Sequence, residues 1–152
     1  MRAWPALLVF LLLVGAAAAG AIVARPDAWY GALAKPSFNP PNAIFPPVWT
    51  VLYIAIAVAA WRVWRMPDST SAISLWLAQL ACNAAWSPLF FGLHRIDLAL
   101  ADIVLLVALV IATVIAFRHH DRMATWLMLP YLAWIAFATL LTFSIWRLNG
   151  AA

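Results

Sequence analysis

Gln79, Asn83, Trp86 and Phe90 are spaced by four, three and four residues, so on a helix they share one face. They sit in a stretch, Ser69 to Leu93, that carries no charge. A polar group left unpaired in hydrocarbon costs several kcal/mol, roughly 2–7. The two amides therefore need partners. These are either side chains of neighbouring helices, at about 0.6 kcal/mol per bond, or polar atoms of a bound molecule. Asp102 poses the same question more sharply, because a carboxylate inside an apolar span costs about 2.5–3.5 kcal/mol on insertion. It is either a pocket group or a hydrated structural aspartate close to the interface. Two further stripes carry rings: Trp49 with Tyr53, four apart, and Tyr131, Trp134, Ala138 and Thr142 (or Leu141). Indole offers a flat apolar face and a single donor. Several such faces suit a flat, aromatic, membrane-soluble ligand, and they also suit plain helix packing.

Other chemistry is poorly served. His94, His119 and His120 fall in loops, so no ligand pair for haem or metal is placed inside the spans. No CxxCH, HExxH or glycine-rich phosphate loop occurs, and no Ser/His/Asp set is arranged to cooperate. The reading therefore assigns no catalytic residue, no metal site and no required cofactor. The nine basic residues are spread without a run, which gives no footprint for nucleic acid. Cys82 stands alone, so a disulfide scaffold is excluded.

The elements that must position these groups follow from composition. The chain has 152 residues, of which 68% are hydrophobic and 9% charged; soluble domains carry about 25% charged residues. Charges punctuate the sequence and leave apolar stretches long enough to cross about 30 Å of hydrocarbon. The predicted fold is all-α: an integral membrane bundle of five transmembrane helices forming one domain over residues 1–152, with a long ordered first loop. The spans fall at about 5–24, 45–64, 71–92, 97–117 and 124–147, and loop 1 at about 25–44. The first span can also be read as a signal peptide, since Arg2 precedes an apolar run and a cluster of alanines. Pro46 and Pro47 mark a helix start, and Pro88 withholds a donor from the Ala84 carbonyl and favours a kink. Trp4, Trp61, Trp64, Trp126 and Trp146 lie near span ends, where an interfacial belt is expected. Basic residues divide five (Arg2, Arg62, Arg65, Arg118, Arg122) against four (Arg25, Lys35, Arg95, Arg147), a narrow vote for a cytoplasmic N-terminus. Loop 1 sets aromatics beside prolines, which lowers the entropy lost on ordering. It is either an interfacial belt or a lid over a pocket.

The combination of Tyr30, Leu33, Lys35-Pro36, Pro40-Pro41 and the run Phe45-Pro46-Pro47-Val48-Trp49-Thr50-Val51-Leu52-Tyr53 resembles the TspO/translocator protein family, also called tryptophan-rich sensory proteins or peripheral-type benzodiazepine receptors. Gln79 to Asn83, Trp86-Ser87 and Phe90-Phe91 resemble its third helix, and Pro130-Tyr131, Trp134 and Ala138-Thr139 its fifth. The likeness covers nearly the whole chain. It implies a multi-pass, bacterial membrane protein, a homodimer, that binds protoporphyrin IX or a related tetrapyrrole beneath the first loop. By the same likeness the ligand-binding residues are Tyr30, Phe45, Trp49, Tyr53, Asn83, Trp86, Phe90, Asp102, Trp134 and Ala138. Lys35 or Arg25 is expected to meet propionates. Transport, sensing and regulation all need that binding step; light-dependent porphyrin degradation and a ligand-free structural subunit are the alternatives. Cholesterol binding is expected to be weak or absent, because Phe143 stands where that motif has a tyrosine. Ala78 with Cys82, and Ala81 with Ala85, are small residues spaced for close helix approach in a dimer.

Overall fold

A computed structural model describes residues 3–150. Arg2, counted above in the charge comparison, lies outside the described residues. Every regular element among the described residues is helical: α1 (Trp4–Val23), α2 (Ala28–Ala32), α3 (Phe45–Trp64), α4 (Thr70–Ser87), α5 (Ile96–Arg118) and α6 (Arg122–Leu148). A 3₁₀ turn, Asn42–Ile44, leads into α3, and a π turn, Pro88–Gly92, prolongs α4.

Local chemistry explains the starts and stops. Pro5 opens α1 and Pro46 opens α3, positions where a missing N–H costs nothing. Asp121 caps α6 by accepting the Ala124 N–H at 3.0 Å, and it takes the Arg62 guanidinium at 2.9 Å, joining the end of α3 to the start of α6. Burial pushes the Asp121 carboxyl up, but the Ala124 N–H and Arg62 outweigh it and hold the group below its ordinary value. Pro88 cannot bond the Ala84 carbonyl, and the chain answers with the wider turn, closed by the Leu93 N–H on the Pro88 carbonyl at 2.9 Å.

The long helices pack as a closed ring in the order α1, α3, α6, α5, α4, with α4 returning to α1. Four helical stretches are long and apolar enough to cross a membrane: Trp4–Val23, Asn42–Trp64, Ile96–Arg118 and Arg122–Leu148. The expected count of five helices becomes six, because loop 1 contains α2. In α4 the amides of Gln79 and Asn83, with Ser71 and Ser74, dilute the apolar character.

Trp61 departs from the belt expectation. It is buried, stacks on Trp4 with centroids 5.4 Å apart, and donates its indole N–H to the Ala3 carbonyl at 2.7 Å. Its place near a span end is taken up in fastening the start of α1 to α3. Trp4 and Trp126 do face outward, at 70% and 66% exposure.

Candidate functional site

A cavity of about 530 Å³ opens at the end of the ring where α1 finishes and α3 begins. Its size falls within the range of ordinary ligand pockets, about 300–1,000 Å³. All five long helices contribute to its wall.

Two aromatic walls face it. On one, Trp86 stacks on Phe90 at 4.8 Å and 20°, and Tyr30 of α2 meets Phe90 and Phe91 edge-on at 6.0 and 5.3 Å. On the other, Trp49 lies 5.3 Å from Tyr53 and stands perpendicular to Trp134 at 6.5 Å, while Phe45 meets Trp134 edge-on at 5.9 Å. Such offset and edge contacts are the arrangements the ring quadrupoles favour. The indole N–H groups of Trp86 and Trp134 are buried and find no acceptor among the described residues.

Beneath the rings runs a polar relay across three helices. The Tyr53 hydroxyl donates to Asn83 Oδ1 at 2.6 Å, Asn83 Nδ2 donates to the Tyr131 hydroxyl at 2.8 Å, and that hydroxyl donates to Gln79 Oε1 at 2.7 Å. The partners of both amides are thus side chains of neighbouring helices. Gln79 and Tyr131 are fully buried in the relay and do not line the cavity, whereas Asn83 serves the relay and the cavity together.

Nine of the ten residues assigned to the ligand line this space: Tyr30, Phe45, Trp49, Tyr53, Asn83, Trp86, Phe90, Trp134 and Ala138. Asp102 does not. The inward stripe of α5 is Ala99, Ile103, Leu106 and Val110, and Asp102 sits at its edge, half-buried, with Oδ2 lacking a partner among the described residues. The α5 residues that reach the cavity are Ile103 and Leu106. They share a stripe with Ala99 and Val110, the four residues being spaced by four, three and four. The α1 residues Ala18, Ala21 and Ile22 were also missed, since nothing in a uniformly apolar helix distinguishes one face.

The first loop roofs the cavity. Asp27 caps α2 by accepting the Tyr30 N–H at 3.1 Å, and its other oxygen meets His94 Nε2 at 3.2 Å. Trp29 stacks on the His94 ring at 4.1 Å. The Tyr30 N–H bond, with His94, keeps the Asp27 carboxyl below its ordinary value, while burial pushes the Tyr30 phenol above its own. Farther along, the Asn149 amide accepts from the Ala34 N–H at 3.0 Å and donates to the Ala34 carbonyl at 2.9 Å, pinning the loop to the end of α6. Of the two cations expected at propionates, Arg25 lines the cavity and Lys35 does not. Lys35 is spent on the Leu33 carbonyl at 3.1 Å and on the Tyr30 ring at 4.5 Å.

A helical ring with apolar spans and an interior aromatic cavity beneath an ordered loop marks a multi-pass membrane protein. The chain belongs to the TspO/MBR family, whose model matches residues 6–147. It is 42% identical to the tryptophan-rich sensory protein of Cereibacter sphaeroides over 146 residues, covering 96% of this chain and 92% of that one. It is 38% identical to the tryptophan-rich protein TspO of Chlorobaculum tepidum, covering 95% and 94%. It is also 38% identical to the translocator protein of Homo sapiens, covering 80% and 75%.

Proposed function

We propose that this protein crosses the bilayer with all five long helices and binds a flat tetrapyrrole of the protoporphyrin type in the cavity under loop 1. With the π turn that prolongs it, α4 runs from Thr70 to Gly92, and its amides are turned to the interior relay instead of lipid. One observation carries the ligand reading: two aromatic walls face a common space of about 530 Å³, and the indole donors of Trp86 and Trp134 at its edge are unpaired among the described residues. Flat faces offer stacking to a planar macrocycle, and free donors ask for acceptors on it. The relatives are named for sensing and for translocation, and each of those tasks starts from binding.

The test is a titration of the detergent-solubilised protein with protoporphyrin IX, read by tryptophan quenching. Saturation at one ligand per chain is expected, with affinity falling about tenfold in Trp134→Ala or Trp86→Ala. A non-saturating response that both variants leave unaltered removes the reading in favour of a structural subunit.

A further inference from the structure

We infer that Arg25 selects ligands that carry a carboxylate, so the cavity takes an amphiphile: a flat apolar body held between the aromatic walls and an anionic group at the mouth. The inference rests on the tetrapyrrole reading and adds to it a charge preference and the residue that sets it.

Among the residues that line the cavity, Arg25 is the one that carries charge. It follows the end of α1, at the exposed rim, where the wall changes from apolar helix to loop. It makes no hydrogen bond or ion pair with any other described residue.

Three neighbouring charges at this end, Asp27, Lys35 and Arg95, are occupied. Both oxygens of Asp27 are engaged, one by the Tyr30 N–H and one by His94. Lys35 is held on the Leu33 carbonyl and over Tyr30. Arg95 forms a two-pronged pair with Asp97, at 2.9 and 2.7 Å. Arg147 sits 5.8 Å from the centroid of the Phe143 ring. Among these cations Arg25 alone lines the cavity, and its guanidinium has no partner among the described residues. A planar guanidinium with its donors in a fixed fork matches a carboxylate in two parallel bonds, and such a charge-assisted bond is stronger than a neutral one. Deeper in, the lining offers donors only from neutral groups such as Asn83, Trp86 and Trp134, so a carboxylate has no charged partner except at the mouth.

The experiment compares protoporphyrin IX with its dimethyl ester, which keeps the ring and removes both charges. Binding is measured by tryptophan quenching with the full chain in nanodiscs of zwitterionic phosphatidylcholine. The unaltered protein is expected to favour the diacid by about tenfold. Arg25→Gln should bring the ratio of the two affinities close to one, and Arg25→Lys should restore part of it, because the charge returns without the two-pronged fit. Equal affinities in the unaltered protein, or a preference that survives in Arg25→Gln, overturn the assignment of Arg25 while the cavity's tetrapyrrole binding stands. Failure of both ligands to saturate overturns the tetrapyrrole reading itself and this inference with it.

Discussion

The amide nitrogen of Asn83 on α4 and the hydroxyl of Tyr131 on α6 lie 2.8 Å apart, and the same hydroxyl donates a hydrogen bond to Gln79 Oε1. One phenol thus answers two amides on a helix one turn apart. Tyr131 is fully buried, so its removal cannot be made good by water from the membrane face. Tyr131→Phe strands Asn83 Nδ2 and Gln79 Oε1, and each buried group left unpaired costs about 1–3 kcal/mol. A clear fall in the thermal midpoint of the detergent-solubilised protein is expected, with a smaller change in porphyrin affinity than in Trp134→Ala, since Tyr131 does not line the cavity. An unchanged midpoint would show the relay to be dispensable.

Gly20 and Ala84 set how closely α1 approaches α4. A Cβ added at Gly20 stands 3.3 Å from the Ala84 carbonyl oxygen and 3.8 Å from Pro88 Cγ, a carbonyl and a ring of the segment where Pro88 interrupts the α4 ladder. Gly20→Leu is expected to push α1 outward, lowering the thermal midpoint and disturbing the α1 edge of the cavity. Gly15 lies on the same helix with nothing within 4 Å of an added Cβ. Gly15→Ala therefore brings only helix propensity, worth about 0.5–1 kcal/mol in favour of the fold. Opposite shifts in the two variants are the expected result, read side by side in one melting series.

The sequence made some of this legible and hid the rest for definite reasons. Unbroken apolar stretches between charges announced the long helices, and Pro46 marks a start that the structure places at Phe45. The stripes Asn83–Trp86–Phe90 and Trp49–Tyr53 reach the cavity because amides and rings among leucines reveal a face. Leucine and alanine do not. The contributions of α1 and α5 stayed hidden because aliphatic residues make up most of every face of their spans, and Asp102, a carboxylate within α5, does not line the cavity. The α2 helix escaped because five residues are too few for a periodic pattern, although Asp27 three residues before Tyr30 is a cap signal. Trp61 looked interfacial by position alone; its bond to Ala3 depends on a contact 58 positions away.

Asn149 holds loop 1 by imitating a backbone: it both accepts from and donates to Ala34, and it also bonds the Ile145 carbonyl at 2.7 Å. The site is exposed, so the gain in global stability is small, about 0.5–1.5 kcal/mol. The local consequence is larger, because this clasp and the Asp27–His94 contact fasten the roof at two separate places. Asn149→Ala is expected to speed amide exchange at Ala34 and its neighbours, and to raise the dissociation rate of bound porphyrin several-fold with little change in the thermal midpoint. Stopped-flow release into excess detergent measures the second effect. Equal release rates in the variant and the unaltered protein would show that the roof does not limit exit.

The other fastening titrates, and its sign follows from the direction of the shift. The Tyr30 N–H, chiefly, and His94 keep the Asp27 carboxyl below the ordinary aspartate value of 3.8, against a weaker upward push from burial. A carboxyl depressed by folding contributes in full above its unfolded value and loses that contribution as the pH falls through its folded one. Protonation of Asp27 should therefore weaken the α2 cap in acid, with a midpoint below 3.8. The Tyr30 amide proton, bonded directly to Asp27, reports this as a chemical-shift titration followed from about pH 6 to about pH 2. In Asp27→Asn the step should vanish, because the amide still accepts the bond but has no charge to lose. A midpoint at or above 3.8 in the unaltered protein would mean that the Tyr30 and His94 contacts do not favour the ionised carboxyl, and the cap would then have to be held by packing of Trp29 and Tyr30 alone.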